Sequence, residues 1–428
     1  MAYNKQNTNP NVPNLSFKRE QSESCFDSAE RVINQKQNVP NLRFPEFTGE
    51  YEKYNLGELG STLIGLTYSP ADVVSEGGTI VLRSSNIKNG VTNYDDIVRV
   101  NKKIKDSIIT RINDILVCAR NGSPRLIGKN AILKESDSNI TFGAFMMIYR
   151  SNDNTYIHQL LSTKRFYSQV GENLGARINQ ITTSDFNSFE FYFPKSKEER
   201  IKIASLLALI DKRIETQNKI IEDLKKLKVA ISQVCFEQKP IDEIPLQKFF
   251  KKGKAGGTPT STNKEYYDGE IPFLSINDIT EQGKYIYSTE KHLSEKGLLN
   301  SSAWVVPVNS LILSMYASVG LTTINKIPLA TSQAMFSMEL KEPELIDYLY
   351  YYLTYFKYRY IHRYLETGTQ SNINADIVRS IKIPNYGKSK NIEMSAILAN
   401  IDKKIEIENT YLQSLLSQKA YLLSNMFI

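Results

Sequence analysis

Two stretches of the chain carry apolar residues at alternating spacings of three and four, the pattern of a helix that packs along one seam. Each stretch covers about 34 residues, at 203–236 and 394–427, and neither contains glycine or proline. Such a helix would be about 50 Å long at 1.5 Å per residue. The predicted seam consists of Leu207, Ile210, Ile214, Ile221, Leu224 and Ile231 in the first stretch and Leu398, Ile401, Ile405, Leu412, Leu415 and Leu422 in the second.

The two stretches are copies of one another. Asp211 aligns with Asp402, and the same offset of 191 residues aligns the rest without a gap. Polar residues interrupt both seams at equivalent places, which predicts a fixed register because a slipped pairing would bury them against leucine. We therefore expect an antiparallel coiled coil, although each helix could instead pack on its own globular domain. The interrupting residues are Gln217, Glu408, Lys228 and Lys419.

The repeat extends to the start of each half. The same offset pairs Gly65 and Thr67 with Gly256 and Thr258, and Ser84 and Asn86 with Ser275 and Asn277. Each half is thus a variable globular body followed by a more uniform helix, with boundaries near Pro194 and Pro384. The predicted division is a disordered tail at 1–36, a first domain at 37–197, a first helix at 198–238, a second domain at 239–387 and a second helix at 388–428.

The globular bodies combine strand-like and helix-like runs, which predicts the α+β class. A helix at about 344–365 is dense in tyrosine, and we expect most of these rings in the core or at a subunit contact rather than stacked on nucleic acid. Strands are predicted at 79–82, 115–118, 145–149, 189–193, 311–315 and 380–383.

Composition limits the partners only mildly. Lys and Arg total 53 against 46 Asp and Glu, and the net charge of +7 permits a DNA partner without requiring one. The cysteines Cys25, Cys118 and Cys235 and the three histidines are scattered, so we predict neither a disulfide framework nor a metal site. No run approaches the roughly 18 apolar residues of a membrane span, and the polar N-terminus is unlike a secretory signal. We expect a cytoplasmic protein without a membrane partner.

A duplicated variable body, each copy followed by a matching long helix, resembles the specificity subunits of type I restriction–modification systems. Residues 256–259 (GGTP) and 266–272 (YYDGEIP) resemble the opening of that family's target-recognition domain, and 368–374 (GTQSNIN) resembles its closing segment. The first half matches through 38–47 (NVPNLRFPEF), so the resemblance covers about 38–428.

The sequence departs from the family pattern in two places. Tyr68 stands where the second half has Pro259. The Glu-Gln pair that is usual before the family's helix is replaced by Glu199-Arg200 and by Lys390-Asn391. These changes leave the expected architecture untouched but bear on how the helix starts pack.

The resemblance implies that each domain reads a few base pairs of double-stranded DNA and that the helix pair sets the distance between the domains. The target would be bipartite, and asymmetric because the two bodies differ. Gly256 and Gly257 are expected to let backbone N–H groups approach a phosphate. The predicted DNA-binding residues are Thr67, Arg83, Asn86, Arg120, Asn121, Arg125 and Arg177 in the first body and Lys254, Gly256, Gly257, Thr258, Asn277, Tyr316, Gln370 and Asn372 in the second.

The chain contains neither the Asn/Asp-Pro-Pro-Tyr/Phe motif of a methyltransferase nor a Gly-x-x-x-x-Gly-Lys-Ser/Thr loop for ATP. We therefore expect a subunit that performs no catalysis and has no cofactor of its own. The resemblance implies two modification subunits bound along the helix pair and restriction (translocase) subunits outside them. S-adenosylmethionine, ATP and magnesium would belong to those partners.

Two other interpretations remain open from the sequence. One is a scaffold in which two globular domains on a helical stalk bind other proteins and no DNA. The other is a nuclease whose active site uses scattered carboxylates such as Asp95, Asp96 and Asp114, although acidic loop residues are usually only solvated.

Overall fold

The computed structural model describes residues 38–176, 179–364 and 372–428. These residues form two α+β domains, each followed by one long helix, and the two helices pack together. The predicted fold class is therefore confirmed. The predicted tail at 1–36 lies outside the described residues.

The first domain is built on two four-stranded sheets. In spatial order, the antiparallel sheet consists of Ser61–Ile64, Met146–Arg150, Ile115–Cys118 and Asn130–Ile132. The mixed sheet consists of Thr141–Phe142, Thr79–Leu82, Val98–Val100 and Val73–Val74. Two-stranded pairs join Glu52–Asn55 to Glu190–Phe193 and Ile87–Lys88 to Val91–Thr92. The helices are Leu56–Leu59, Asn154–Leu160, Lys164–Ala176 and Thr183–Ser188.

The second domain repeats this plan. Its larger sheet consists of Phe250–Ala255, Met335–Leu340, Leu311–Ser314, Thr322–Asn325 and Tyr285–Ile286 in spatial order. Its smaller sheet consists of Lys291–Leu293, Ile271–Leu274, Leu329–Thr331 and Val305–Val306. Asp242–Pro245 pairs with Lys382–Asn385, as the corresponding strands do in the first domain. The helices are Ile276–Gln282, Glu295–Leu299, Ile346–Arg359 and Ala375–Ser380.

The six strands predicted from the sequence are all present. Those at 79–82 and 115–118 have the predicted bounds, and the other four differ by one or two residues at one or both ends. These strands could be predicted from the sequence because continuous apolar runs mark buried strands. Ile115–Cys118 and Leu311–Ser314 are buried at every position and contain mainly β-branched or aliphatic side chains.

Two repeat pairings, Ser84 with Ser275 and Asn86 with Asn277, were wrong by a single residue. The backbone N–H of Arg83 donates to Asn86 Oδ1, and the backbone N–H of Ser275 donates to Asp278 Oδ2 in the same way. Asn86 is therefore equivalent to Asp278 and not to Asn277. The offset between the two halves is 192 residues here instead of 191, because the loops before these strands differ in length.

The long helices span Lys197–Phe236 and Lys388–Met426. The first begins at Ser196, whose hydroxyl accepts the backbone N–H of Glu199 at 3.1 Å. The second begins after Gly387, where φ is +89° and a side chain would be strained. At 40 and 39 residues, both helices begin about six residues earlier than the apolar pattern alone predicts.

The two long helices form the predicted antiparallel coiled coil. Gln217 Nε2 donates to the backbone oxygen of Glu408 at 3.0 Å, near the middle of both helices. On either side, Lys228 pairs with Asp402 and Lys419 pairs with Asp211, each at 2.5 Å. These two ion pairs are related by the 191-residue repeat. All twelve predicted seam residues are buried or half-buried.

Each long helix starts in the core of its own domain and ends in the core of the other. Ile203 and Leu207 belong to the first domain's core, whereas Phe236 at the end of the same helix packs in the second domain's core. Leu398 belongs to the second core and Phe427 to the first. The alternative of two separate helices is therefore wrong, because each helix is held at both ends.

The tyrosine-rich helix spans Ile346–Arg359, shorter than the predicted 344–365. Tyr348 and Tyr352 are buried and donate to the backbone oxygens of Pro384 and Lys382. Tyr351 donates to Asp402 Oδ2 at 2.8 Å and thereby links this helix to the coiled coil. The expected core positions are thus found for Tyr348, Tyr350, Tyr351 and Tyr352, whereas the expected subunit contact stays a prediction.

None of the helices in the described ranges has the length and apolar character needed to cross a membrane.

Candidate functional site

The first domain has an open cleft of about 800 Å³ where three chain segments converge. Strands Thr79–Leu82 and Thr141–Phe142 run parallel, so the segments that follow them emerge side by side. The backbone N–H of Leu66 donates to Phe142 O at 2.7 Å and brings the third segment beside them. Thr67 and Arg83, two predicted DNA-binding residues, consequently line one cleft.

Arg120 and Asn121 adjoin this cleft. The guanidinium of Arg120 lies 5.6 Å from the ring centroid of Phe145, which lines the cleft and is 60% exposed. Arg120 Nε also donates to Gln180 Oε1 at 2.8 Å. Asn121 Nδ2 donates to Ser84 Oγ at 2.9 Å, across the strand ends. The structure thus brings together four predicted residues of the first domain, namely Thr67, Arg83, Arg120 and Asn121. Phe145, Ser84 and Gln180, which were not predicted, lie between them.

Arg83 lines the cleft but already has a partner, and Arg125 and Asn86 lie in other surroundings. Arg83 Nη2 forms an ion pair with Asp96 Oδ2 at 2.7 Å, and Arg125 lies exposed in the loop after Arg120. Asn86 is only 1% exposed, and its amide donates to the backbone oxygens of Asn93 and Asp96. The prediction that Asn86 binds DNA is wrong, because its donors and acceptor hold the loop together.

In the second domain, Thr258 donates to Gln333 Oε1, and Lys254 Nζ donates to Ser302 O at 3.3 Å. Thr258 also lines a cleft of about 930 Å³ together with Tyr267 and His292. Gln333 occupies the position equivalent to Ala144, next to Phe145 of the first domain. Each domain thus has an equivalent threonine, Thr67 or Thr258, at the edge of an open cleft.

Gly256 and Gly257 do not offer their N–H groups to a phosphate, so that prediction was wrong. Their N–H groups donate to Met335 O at 3.1 Å and Thr331 O at 2.9 Å. A Cβ at Gly256 would lie 1.9 Å from Thr331 O, and one at Gly257 would lie 2.3 Å from Ser302 Oγ. The glycines are needed because the protein's own segments approach this closely.

Tyr316 and Asn372 flank the same strand end of the second domain. Tyr316 is 39% exposed and precedes Ala317 and Ser318, whose φ values of +43° and +56° are left-handed. Backbone strain of this kind in non-glycine residues is concentrated at functional sites. Asn372 is half-buried and precedes Ile373, whose N–H donates to Met315 O at 3.1 Å. Both residues therefore lie in loops at one strand end, where a binding site of the second domain could form.

One predicted residue lies apart from these groups. Asn277 is exposed on helix Ile276–Gln282 and donates to Glu281 Oε1 at 2.9 Å. Arg177 and Gln370 lie outside the described residues.

Sequence reasoning missed Phe145, Gln180 and Gln333. Phe145 was assigned to the predicted strand at 145–149, but the strand begins at Met146 and leaves the Phe145 ring exposed. The repeat could have indicated Gln180, because Gln180 precedes Ile181 just as the predicted residue Asn372 precedes Ile373. The drift of register between the halves concealed it.

The carboxylates proposed for a nuclease are not brought together. Asp114 is buried and pairs with Arg150 at 2.6 Å, Asp95 pairs with Lys88, and Asp96 pairs with Arg83. In the ranges that the structure describes, no group of three or more histidine, cysteine or acidic side chains is arranged to hold a metal ion.

Comparison with known proteins identifies the domains. The sequence profile of the type I restriction modification DNA specificity domain matches residues 48–226 and again 239–417. The MjaIX specificity subunit of a type I restriction enzyme from Methanocaldococcus jannaschii is 27% identical over 205 residues, which are 45% of this chain and 46% of that protein. The MjaVIII specificity subunit from the same organism is 23% identical over 402 residues, covering 86% and 89%. The matched region thus spans about half the length of the first of these relatives.

The fold has a counterpart among solved structures. The S subunit of a type I restriction–modification system from M. genitalium superposes with a TM-score of 0.57 at 18% identity and covers 91% of this chain and 99% of that one. This likeness concerns the fold. With two profile matches that together span most of its length, the chain belongs to the family of type I restriction modification DNA specificity domains and carries two of them.

Proposed function

We propose that this chain is the DNA-recognition subunit of a type I restriction–modification complex and that it reads a bipartite target. The observation that carries the proposal is the anchoring of both long helices in both domain cores. Two recognition domains held in this way face DNA at a fixed separation. A 40-residue helix is about 60 Å long, which bounds the separation of the two half-targets at about 17 base pairs.

The two half-targets differ in sequence, so the whole target is asymmetric. The first cleft presents Arg83, Arg120 and the exposed ring of Phe145. At the equivalent places the second domain has Tyr316, Ala334 and Ser275, whose hydroxyl already donates to Asp278 Oδ2 within the fold. Arginine donors favour guanine, whereas hydroxyl groups bond several bases, so side chains this different select different base pairs.

Methylation and cleavage are carried out by partner subunits, and this chain supplies sequence recognition without catalysis. Two modification subunits bind along the coiled coil, and restriction subunits bind outside them. The proposal is supported by an exposed apolar stripe on the first long helix, made of Leu209, Ile220, Leu227 and Val234. These four residues lie within about 20° of one line along the helix, the face that a partner helix would cover. S-adenosylmethionine, ATP and magnesium belong to the partners.

The test is methylome sequencing of a methylation-deficient host that expresses this chain with its modification subunit. We expect modified adenines in one asymmetric bipartite motif, and we expect them to disappear when this chain is omitted. A properly assembled complex that leaves no sequence-dependent methylation would contradict the proposal. The scaffold interpretation would then apply, in which the domains bind other proteins and scrambled DNA binds no worse than genomic DNA.

A further inference from the structure

Arg120 is held in place by two neighbours on different chain segments. Phe145 supports one face of the guanidinium at 5.6 Å, and Gln180 Oε1 accepts from both Nε and Nη2. Backbone bonds fix the segment itself, since the N–H groups of Ala119 and Arg120 both donate to Phe145 O, at 3.0 and 2.9 Å. The side chain nevertheless remains exposed.

This arrangement leaves one edge of the guanidinium available. A guanidinium carries five N–H bonds in a planar fork. Gln180 takes the hydrogen of Nε and one hydrogen of Nη2, so both hydrogens of Nη1 and the second hydrogen of Nη2 point away from Gln180. Those on the Nη1–Nη2 edge are parallel and spaced to meet two acceptors. Guanine is the base that presents two adjacent acceptors, O6 and N7, in the major groove.

We propose that Arg120 reads one guanine in the half-target bound by the first domain, with Phe145 and Gln180 as the residues that position it. This inference rests on the proposed function and adds to it one base, one reader and one half of the target. The cation–π contact with Phe145 and the Gln180 bond limit the rotamers of Arg120 before DNA arrives, which lowers the entropy cost of the contact.

The neighbouring candidates lack this arrangement. Arg83 is committed to Asp96 through Nη2, and Asn121 Nδ2 is committed to Ser84. Arg125, among the described residues, has neither a ring beneath it nor a hydrogen-bonded partner. Arg120 is therefore the arginine of this cleft that is both exposed and positioned.

The second domain lacks a guanidinium at this place. Ile181 N–H donates to Ala119 O, and Ile373 N–H donates to Met315 O in the equivalent bond, so Tyr316 stands where Arg120 stands. Loss of the Arg120 contact should consequently alter one position in one half of the target and leave the other half unchanged.

The test compares methylomes of hosts expressing the wild-type complex and the variants Arg120→Ala, Arg120→Lys, Gln180→Ala and Gln180→Glu. We expect both Arg120 variants to reduce the preference for guanine at one position of one half-target by about 5- to 100-fold. Lysine keeps the charge but not the planar fork. Gln180→Ala should relax the same position, and Gln180→Glu should retain the guanine because a carboxylate still accepts from Nε and Nη2.

Arg165→Ala is the matched control. Arg165 also lies over an aromatic ring, Tyr192 at 5.3 Å, and also donates to one oxygen, Glu190 O at 2.9 Å, but it lies on helix Lys164–Ala176 away from the cleft. We expect the complex that carries Arg165→Ala to methylate the same motif as the wild-type complex. Thermal unfolding and binding to nonspecific DNA are measured in parallel, so that a folding defect is recognised.

The outcomes separate the two proposals. If the wild-type complex methylates no bipartite motif, the proposed function fails. If the wild type methylates a motif and Arg120→Ala leaves both halves unchanged, the inference about Arg120 is overturned while the function stands. A uniform loss of affinity at all sequences, with no change of base preference, would likewise overturn it and identify Arg120 as a phosphate contact.

Discussion

Glu199 is a carboxylate with only 1% of its side chain exposed, at the start of the first long helix. Arg43 Nε and Nη2 donate to it at 2.7 and 2.8 Å, and the Tyr51 hydroxyl donates at 3.0 Å. Glu199 keeps the glutamate of the family's Glu-Gln pair, and the departure from that pattern is the neighbouring Arg200. The structure shows how this helix start packs, because the segment before the first strand is bound to it.

Substituting Arg43→Ala should lower the free energy of unfolding by about 3 kcal/mol, since it leaves a buried carboxylate without its cation. Lys226→Ala breaks the exposed pair with Glu222 and should cost less than about 0.5 kcal/mol. Denaturant unfolding of both variants measures the difference. Equal losses in the two variants would show that Glu199 is satisfied without Arg43.

His158 is buried beside the coiled coil, and desolvation together with the nearby Lys419 charge lowers its pKa to about 4. The unfolded chain binds this proton near pH 6.5, so the folded state loses stability as pH falls from about 6.5 towards 4 and keeps it above that range. His158→Gln should remove about 1 to 2 kcal/mol of the difference between unfolding free energies at pH 7 and pH 5. An unchanged difference would show that His158 does not remain neutral in the fold.

At the scale of the element, the apolar pattern identified both long helices and their seam, and the polar interruptions indicated a fixed register. The partners of these polar residues came only from the packing, where Lys228 meets Asp402 and Lys419 meets Asp211. Both aspartates lie in the repeated sequence that defined the helices. Each is far from its lysine partner along the chain, so the sequence gives no sign that the two side chains meet. Antiparallel packing brings them together.

The exposed stripe of the first long helix gives a prediction for the partners. Leu227→Glu should reduce the affinity for the modification subunit at least tenfold, because it places a charge on the proposed contact, while the chain stays folded since Leu227 is 48% exposed. Leu299→Glu is the control, as Leu299 is 82% exposed on a short helix of the second domain. Co-purification and titration of the two subunits measure the effect. Equal binding by both variants would place the partner elsewhere.

At the scale of the whole molecule, the separation of the domains follows from helix length because each helix is anchored in both cores. Inserting one heptad into both helices, at Gln217 and at Glu408, should preserve the seam and move the domains apart by about 10 Å. The gap between the half-targets should then grow by about three base pairs with both half-sequences unchanged. Methylome sequencing reads the gap directly, and an unaltered gap would show that the helix pair does not set it.

The sequence by itself determined the duplication, the α+β class, the two long helices and their seam, since these depend on periodicity and on repetition along the chain. It placed Thr67, Arg83, Arg120 and Asn121 in one candidate set, and the structure gathers them around one cleft. Only the tertiary structure decided which polar residues are available. Asn86, Gly256 and Gly257 use their hydrogen-bonding groups within the fold, whereas Arg120 is positioned by Phe145 and Gln180. The physical reason is that hydrogen-bond partners and burial come from segments distant in sequence, and no local pattern records which donors are already satisfied.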